Sequence, residues 1–553
     1  MINITIDKPK KLPGLTSAFI GFDKFNEELI DRIRNMQNRV YDKNTKEWEI
    51  PIDELEGFIS SARNFEINIE LVKEVAEKTN IPKSYKFFTK PYSFQKTGVE
   101  YGLSHDSFLL GDEMGTGKSK QIIDIACCRK LLGQIKQCLV VVGVNSLKYN
   151  WLDEIRIHSK ERGWVLGTQF RKNGSMYDGT TKDKIEDLKT HTKELFLITN
   201  IETFRSDEFV EELRKNKNID MMVIDEAHYC RNSQSHQGKN ILKCANYKYK
   251  IAATGTPLVN SPVDAYAILK WLGIEKSNFT TFKRFYCNYG GFGGYQITGF
   301  KNLHVLRDSL QNYMLRRLKR DVLDLPEKTI KNEYVDMLPG QSKIYNELRN
   351  DILTNIDKIA LSDNPLTELL RLRQCTDWSG ILSSEIAESA KMERLLQLVD
   401  DIVQSGNKVV IASNWTQVTD IIVDKLKQYK PSIITGQYSV PERHASKDKF
   451  QTDEKCKVCV GTIGAMGTGI TLTAASYIIF FDLPWTRAAF DQCTDRLDRI
   501  GQRNDMTVIK LLARNTIDER IDEIILGKGA MSDMLVDGKI QGNKRSFILQ
   551  MVS

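Results

Sequence analysis

The chain has 553 residues, of which 41% are hydrophobic and 27% charged, and its formal net charge is +7. This length exceeds what one hydrophobic core normally serves, so we expect an ordered chain of several domains. No apolar run approaches the roughly 18 residues of a membrane span, and the first residues lack a signal-peptide pattern. We therefore expect a cytoplasmic protein without a membrane partner, whose charge permits a polyanionic partner but does not require one.

Short apolar runs alternate with amphipathic stretches in two separate regions of the chain. This alternation is typical of a parallel sheet that is covered by helices on both faces. The sequence therefore predicts an α/β fold with two such lobes. In chain order, the predicted segments are a small N-terminal domain (1–85), a first lobe (86–274), a helical insertion and linker (275–335), a second lobe (336–527) and a C-terminal tail (528–553).

Ten of the apolar runs are predicted strands, because each is followed by turn residues or a helical stretch. In the first lobe they are SFLLG (107–111), CLVVVG (138–143), LFLIT (195–199), MMVID (221–225) and YKIAATG (249–255). In the second lobe they are KVVIAS (408–413), SIITG (432–436), KVCVGT (457–462), YIIFFD (477–482) and MTVIKLL (506–512). Cys456 and Cys459 have metal-ligand spacing, but they alternate as in a strand and no second pair lies nearby, so a strand is favoured over a zinc site.

The first predicted strand is followed by DEMGTGKSKQ at 112–121, which opens a helical stretch. Its glycines let backbone N–H groups converge on phosphates, and the helix N-terminus favours an anion. Lys118 is predicted to reach the β- and γ-phosphates, and Ser119 to place its hydroxyl on Mg²⁺. Asp112 stands where the GxxxxGK[ST] pattern has glycine. The alternative to a phosphate loop is a turn that contains these glycines by chance. The predicted ATP-binding residues of this loop are Met114, Gly115, Thr116, Gly117, Lys118 and Ser119.

The run MMVIDEAH ends in two carboxylates, Asp225 and Glu226. Asp225 is predicted to hold the Mg²⁺ shell, and Glu226 to orient and deprotonate the attacking water. Taken alone, such a pair would start a solvated loop, but the phosphate loop upstream favours a catalytic site. His228 either relays the nucleotide state to the motif at 254–257 or is structural.

The second lobe carries QCTDRLDRIGQ at 492–502, in which Arg496 and Arg499 are three residues apart. That spacing predicts one face of a helix. Two guanidinium groups there would stabilise the charge that develops at a γ-phosphate across a cleft; the alternative is a solvated helix face. Upstream, the glycine-rich GTIGAMGTGITLT, with Gly469, is predicted to approach a phosphate, or else to be a plain flexible loop.

In this order, the motifs resemble the Swi/Snf-type branch of superfamily-2 helicase-like ATPases, from about residue 88 to about residue 525. The resemblance implies two tandem RecA-like lobes that close on ATP and Mg²⁺, with Gln95 recognising adenine and Tyr92 as the aromatic residue near it. The sequence departs from the family at Gly143 and Ala412, where Pro and Phe are usual, and at DLPW, which replaces an acidic-Trp-Asn-Pro segment. The motifs are KPYSFQKTGVEY, GDEMGTGKS, SLKYNWLDE, DEAH, TGTPLVN, MLRRLKRDVLDLPEK, GTIGAMGTGITLT, DLPW and DRLDRIGQ.

The N-terminal segment carries a second resemblance. FNEELIDRIRNMQNRVYDKNTKEWEIPIDELEGF is similar to the HARP-type domain of annealing helicases. The matching positions are Tyr41, Asp42, Thr45, Lys46 and Trp48. The alternative is a small capping domain in which Trp48 is simply part of the core.

Together these resemblances imply a monomeric, DNA-dependent ATPase that translocates on duplex or forked DNA and remodels it through backbone contacts. The alternatives are a strand-separating DNA or RNA helicase, an inactive motor that serves as a DNA-binding scaffold, and a phosphate-loop kinase or transporter component. An inactive scaffold would not need the intact site residues, which argues against it. The second lobe, with its glycine-rich loop and arginines, argues against a phosphate-loop kinase or transporter component. The basic cluster Arg316, Arg317, Lys319 and Arg320 is expected to contact a nucleic-acid backbone or couple the lobes, or else to be a solvated basic helix.

Overall fold

The chain divides into two compact units, each with its own parallel sheet. The first unit comprises Met1–Glu113 and Gly117–Val322, and the second comprises Met114–Thr116 and Leu323–Ser553. Within the described residues, no helix combines the length and the apolar character that crossing a bilayer requires. A computed structural model describes residues 2–7, 12, 17–23, 26–36, 38–62, 67–71, 79–145, 147–170, 176–255, 262–290, 293, 296–361, 366–383, 385–467, 469–527, 535–536, 539–540 and 544–552.

A small mixed sheet forms the N-terminal part of the first unit. Its elements are β1 (Ile2–Asp7), β2 (Ser17–Phe22), α1 (Glu27–Arg34), β3 (Val40–Asp42), β4 (Glu47–Pro51), α2 (Ile52–Ser61) and β5 (Ile67–Leu71), and the strand order is β3-β4-β2-β1-β5. Tyr41 and Trp48 lie opposite each other on β3 and β4, with ring centroids 4.9 Å apart. Trp48 packs, partly buried, against a core that includes Ile4, Ile20 and Ile50. This sheet has its own core, and its resemblance to the HARP-type domain stays a prediction.

The main sheet of the first unit has seven strands in the described part of the chain, and every pairing in it is parallel. All residues of the strand Gln137–Val142 are buried, because packed side chains cover both faces of the sheet. The strands of this unit are β6 (Ser107–Leu110), β7 (Gln137–Val142), β8 (Gly163–Val165), β9 (Thr168–Phe170), β10 (Met176–Asp178), β11 (Phe196–Asn200), β12 (Ile219–Asp225), β13 (Tyr249–Ala253), β14 (Cys287–Gly290), β15 (Gln296–Phe300) and β16 (Met314–Leu315). The main sheet has the order β16-β6-β13-β12-β7-β11-β8, and β9–β10 and β14–β15 are separate hairpins.

Beyond the small N-terminal sheet, ten α-helices are described in the first unit. They are α3 (Ser93–Ser104), α4 (Lys118–Leu131), α5 (Leu147–His158), α6 (Thr181–Thr190), α7 (Asp207–Lys215), α8 (His236–Lys243), α9 (Pro262–Leu272), α10 (Phe279–Tyr286), α11 (Leu303–Tyr313) and α12 (Lys319–Val322). Two of them, α3 and α4, begin at the segments that resemble the adenine and phosphate motifs.

The second unit is built on six parallel strands in the order β17-β22-β21-β18-β20-β19. Its strands are β17 (Lys328–Val335), β18 (Val409–Ser413), β19 (Ser432–Ile434), β20 (Val458–Thr462), β21 (Tyr477–Phe480), β22 (Met506–Ala513) and the short pair β23 (Leu535–Val536) and β24 (Lys539–Ile540). Its helices are α13 (Pro339–Thr354), α14 (Ile356–Leu361), α15 (Leu366–Asp377), α16 (Ala390–Gln404), α17 (Thr416–Lys425), α18 (Val440–Thr452), α19 (Ile463–Met466), α20 (Arg487–Thr494), α21 (Ile517–Ile525) and α22 (Lys544–Val552). All ten predicted strands are present in the two units, so the predicted α/β class with two parallel sheets is confirmed.

Both ends of the second unit differ from the predicted boundaries. Strand β17 pairs with β22 along its whole length, so residues 328–335 belong to the second sheet and not to the linker. The sequence did not reveal this strand because it is a largely exposed edge strand without an apolar run. At the other end, α22 buries Phe547 and Met551 in the core of the second unit, so part of the predicted tail contributes to that core.

Candidate functional site

The phosphate loop connects β6 to α4 and curls around its own lysine. Gly115 and Gly117 have φ angles of +79° and +80°, a conformation that side-chain-bearing residues rarely adopt. Lys118 is the first residue of α4, and its Nζ donates hydrogen bonds to the carbonyl oxygens of Asp112 (2.9 Å) and Glu113 (3.3 Å). The loop therefore presents a helix N-terminus and an ammonium group at one point, the arrangement that anionic phosphates favour.

Asp112, which stands where the phosphate-loop pattern has glycine, is a fully buried ion-pair partner. Arg317 donates to both of its carboxylate oxygens, with Nε 3.0 Å from Oδ1 and Nη2 2.5 Å from Oδ2. Gln121 adds a hydrogen bond from Nε2 to Oδ2 at 3.1 Å, and its own Oε1 accepts from Arg317. The negative charge that Asp112 introduces into the pattern is therefore neutralised by Arg317, which lies 205 residues further along the chain.

The basic cluster that contains Arg317 lies beside the phosphate loop. Strand β16 pairs with β6, and the backbone N–H of Gly111 donates to the carbonyl of Leu315 at 2.8 Å. Arg316 donates to the carbonyl of Gly111 at 3.1 Å, whereas the Arg320 side chain is 81% exposed. The bonds of Arg316 and Arg317 fasten the linker to the phosphate loop. Arg316 and Arg320 are exposed, and their contact with a nucleic-acid backbone stays a prediction.

The two carboxylates lie at the end of β12, two strands away from β6 in the sheet. Trp151 Nε1 donates to Asp225 Oδ2 at 2.8 Å. Burial, followed by the negative charge of Glu226, raises the pKa of Asp225 to about 6, whereas the Trp151 hydrogen bond and the charge of Lys118 act in the opposite direction. The fold therefore brings Lys118, Asp225 and Glu226 into electrostatic reach of one another, as the sequence predicts.

Glu226 is held in an uncommon conformation with an unused acceptor. Its φ angle is +51°, and its Oε2 is buried without a hydrogen-bond partner in the described part of the chain. His228 Nδ1 lies 3.4 Å from this oxygen and 3.1 Å from Thr254 Oγ1. His228 thus lies between the carboxylate pair and the start of the 254–257 motif, which fits the predicted relay; residues 256 and 257 lie outside the described residues.

Tyr92 and Gln95 meet at the start of α3. Gln95 is buried, and its Oε1 accepts a hydrogen bond from the Tyr92 backbone N–H at 3.0 Å. The Tyr92 side chain is exposed, and the carbonyl of Phe94 accepts from Arg317. The predicted adenine motif is therefore tied to the phosphate loop through Arg317.

In the second unit, the prediction that Arg496 and Arg499 lie on one face of a helix is wrong. Helix α20 ends at Thr494, so Arg496 and Arg499 lie in the turns that follow it and not on a helix face. Beyond the helix the backbone forms turns whose hydrogen bonds join residues three apart, from Arg496 N to Cys493 O and from Leu497 N to Thr494 O. The arrangement does bring Arg496 to the glycine loop, where its Nη2 donates to the Gly467 carbonyl at 2.8 Å. Gly469 has a φ of +66°, a conformation that favours glycine.

Comparison with known proteins identifies the family of this site. The SNF2-related domain matches residues 41–380, and the helicase conserved C-terminal domain matches residues 390–501. The first match alone covers more than half of the chain. The chain belongs to the SNF2-related family.

Several known proteins are similar to this SNF2-related chain. An uncharacterized ATP-dependent helicase of Mycoplasma pneumoniae is 28% identical over 83% of this chain and 44% of its own length. The DNA annealing helicase and endonuclease ZRANB3 of Bos taurus is 24% identical over 82% of this chain and 41% of its own length. The solved Sulfolobus solfataricus SWI2/SNF2 ATPase core in complex with dsDNA matches 81% of this chain and 93% of that chain, with 25% identity and a TM-score of 0.39. This chain thus spans less than half the length of these two curated relatives.

One departure of the SNF2-related chain from the family pattern has a steric cause. A Cβ atom at Gly143 would lie 2.5 Å from Cδ2 of Tyr229 and 3.1 Å from Cβ of Glu226. The Gly143 N–H donates to the carbonyl of Asp225 at 3.0 Å. Proline has neither the space nor the N–H that this position requires.

The DLPW departure lies in a buried polar network of the second unit. Asp482 accepts hydrogen bonds from the Ser413 hydroxyl and from the Asn414 backbone N–H, the latter at 3.0 Å. Arg373 is 3.5 Å from Asp482 and stacks 4.6 Å from the ring centroid of Trp485. Asp482 therefore ties the ends of β18 and β21 together. Sequence reasoning missed Arg373, because its partner is 109 residues away and no local pattern marks it.

Proposed function

We propose that this chain is a DNA-dependent ATPase that translocates on duplex or forked DNA and remodels it. The observation that carries the proposal is the cluster of Lys118, Asp225 and Glu226 in the first unit, in which Glu226 keeps a buried and unused acceptor oxygen. Membership of the SNF2-related family supports the same reading.

The residues of the phosphate loop fit ATP and Mg²⁺. Lys118 would exchange its carbonyl acceptors in the loop for phosphate oxygens, which carry more negative charge. The Ser119 hydroxyl and the Asp225 carboxylate are hard oxygen ligands of the kind that Mg²⁺ prefers. Mg²⁺ neutralises charge on the phosphates when it is bound. Tyr92 and Gln95 would contact the adenine.

The remaining site residues would act on the reaction itself. Glu226 would accept a proton from the attacking water at Oε2, a buried oxygen that makes no hydrogen bond within the described part of the chain. Arg496 and Arg499 would add positive charge at the γ-phosphate, and the loop at Gly469 would approach a phosphate with its backbone. Each role is assigned to a residue that matches the family's motif at that position.

The proposed substrate is the DNA backbone, read without sequence preference, by a monomeric motor. The ten cysteines are all free thiols, and nine of them are buried, which supports a cytoplasmic location. A bacterial or phage-infected cell is part of the same proposal. A strand-separating DNA or RNA helicase and an inactive scaffold are the competing functions. Retention of Lys118, Glu226 and both arginines argues against the scaffold, because an inactive motor needs none of them.

The test is steady-state ATP hydrolysis by the full chain without nucleic acid and with single-stranded DNA, duplex DNA, forked DNA or RNA. We expect duplex or forked DNA to stimulate hydrolysis strongly. Glu226→Gln keeps the shape of the site and removes the base, so it should lower the stimulated rate about 10²- to 10⁴-fold.

The outcomes separate the competing functions. Stimulation by RNA or single strands alone would assign the chain to the other helicase classes. The motor proposal fails if no nucleic acid changes the rate of ATP hydrolysis and Glu226→Gln also leaves that rate unchanged. Asp153→Asn is a matched control, since it changes a surface carboxylate of α5 and should leave the rate unchanged.

A further inference from the structure

The insertion that follows the first lobe in the sequence combines basic residues with many aromatic residues. Residues 276–307 contain five basic residues and no Asp or Glu, although the whole chain has 72 acidic residues among 553. The same stretch contains eight aromatic residues. A basic segment with interleaved aromatic residues is the composition of surfaces that bind nucleic acid.

Part of this aromatic content is structural. Helix α10 buries Phe282, Phe285 and Tyr286 in the core of the first unit. The helix therefore has a fixed orientation, and it leads directly into the hairpin β14–β15 at Cys287. The hairpin is thus attached to a packed helix.

The remaining apolar side chains of the hairpin are exposed. Tyr289 and Ile297 are paired across the two strands, so their side chains lie on the same face, and they are 42% and 40% exposed. Phe300 is 39% exposed at the end of the hairpin. The hydrophobic core of the first unit does not include these three side chains, so this one hairpin exposes three large apolar groups.

Cationic side chains lie near the exposed ring of Tyr289. Lys283 Nζ is 5.9 Å from the ring centroid of Tyr289. Burial raises the pKa of Tyr289, and the positive charge of Arg284 opposes that shift, which places Arg284 near the same ring. Arg284 and Lys301 are exposed, and no carboxylate among the described side chains forms an ion pair with them or with Lys283. The positive charge of this surface is therefore not neutralised within the described chain.

We propose that this hairpin surface binds the unpaired nucleotides of a DNA junction. The residues of the hairpin surface are Lys283, Arg284, Tyr289, Ile297, Phe300 and Lys301. Exposed rings stack on bases that are not paired, which no fully paired duplex offers, and the cations bind the phosphates between those bases. The inference rests on the proposed function, because it takes DNA as the partner. It adds that the preferred DNA is a junction with unpaired nucleotides. Charge favours nucleic acid over a protein partner.

The test compares the binding of the full chain to three labelled DNAs: a duplex, the same duplex with two unpaired arms, and a single strand. Tyr289→Leu/Phe300→Leu keeps the apolar bulk and removes the rings, so it should weaken binding to the two DNAs with unpaired bases by about 5- to 10-fold. Binding to the plain duplex should change by less than about twofold, since the stacking contacts are not used there. Tyr289→Phe keeps the ring and should bind like the unaltered chain.

A second variant set tests the cations. The affinity for the single strand falls as salt rises, and Lys283→Gln/Arg284→Gln/Lys301→Gln should make this fall less steep. The slope of log affinity against log salt should become less negative by about 2, at about 0.7 for each phosphate contact that is lost. Tyr438→Leu is the matched control for the ring variant. It removes an exposed tyrosine ring of the second unit and should leave the affinity for all three DNAs unchanged. Thermal unfolding of each variant establishes that the hairpin changes have not unfolded the chain.

The two proposals fail separately. If DNA stimulates ATP hydrolysis by the unaltered chain but the leucine variant keeps its affinity for unpaired arms, the hairpin proposal is overturned and the motor stands. Equal weakening on all three DNAs also overturns it, because stacking cannot be lost on a duplex without unpaired bases. If no nucleic acid stimulates hydrolysis while the leucine variant loses affinity for unpaired bases alone, the motor fails and the hairpin surface remains.

Discussion

The Arg317 guanidinium forms two hydrogen bonds with the buried carboxylate of Asp112, at the first position of the phosphate-loop pattern. The same arginine donates to Gln121 of α4 and to the carbonyl of Phe94, next to the predicted adenine motif. A planar guanidinium suits such a set of acceptors, because its five donors lie in one fixed fork. Arg317 therefore holds the phosphate loop and the segment of the predicted adenine motif together.

Asp112→Gly should impair this chain, even though it restores the strict GxxxxGK[ST] pattern. The change leaves the guanidinium of Arg317, whose side chain is 13% exposed, without its counter-charge, which costs about 3 kcal/mol, the lower end for a buried pair. We expect a lower free energy of unfolding in urea and a raised KM for ATP. Arg320→Gln is the control from the same basic cluster, with an exposed side chain, and should be neutral. Unchanged stability of Asp112→Gly would show that the ion pair is dispensable.

Gly143→Ala should destabilise the first unit by about 1 to 3 kcal/mol, because the added methyl group meets Tyr229 and Glu226. It should also lower kcat, since Glu226 is the neighbour that must move. The measurements are urea unfolding and ATP hydrolysis. Gly57→Ala, in α2, has open space around the new methyl group and should be neutral or slightly stabilising. Equal stability of the two variants would contradict the steric explanation.

Lys250 should make the stability of the chain depend on pH. Burial, followed by the charge of Lys276, lowers the pKa of this lysine to about 8 from its usual 10.5. The unfolded chain then binds more protons than the folded one between pH 8 and 10.5, so this group makes stability rise with pH across that range, by at most on the order of 3 kcal/mol. Lys250→Met should remove this rise in unfolding experiments, whereas Lys239→Met, at an exposed position of α8, should keep it.

Arg499→Ala should lower kcat about a thousandfold or more, because a guanidinium at the γ-phosphate is worth that much in related phosphoryl transfers. Binding of a fluorescent ATP analogue should change far less, since the phosphate loop holds the nucleotide. Arg503→Gln alters an exposed arginine four residues away and should have no effect on kcat. A kcat that Arg499→Ala leaves unchanged would count against the proposed role.

Much of the architecture is predictable from local patterns. The apolar runs that end at Asp225 and at Ser413 are buried strands, and burial on both faces imposes the continuous hydrophobic composition by which they are recognised. Strand β17 was missed for the opposite reason, because its exposed edge leaves no such composition. The turn that carries Arg496 was mistaken for a helix, because spacing alone does not reveal where a helix ends.

The sequence by itself determined the two parallel sheets, the phosphate loop with Lys118 and the carboxylate pair, because each depends on residues adjacent in the chain. Only the tertiary structure decided the partners of Asp112 and Asp482, since Arg317 and Arg373 lie more than 100 residues from them. A buried carboxylate must find a counter-charge or hydrogen-bond donors, but no local rule says where along the chain they come from.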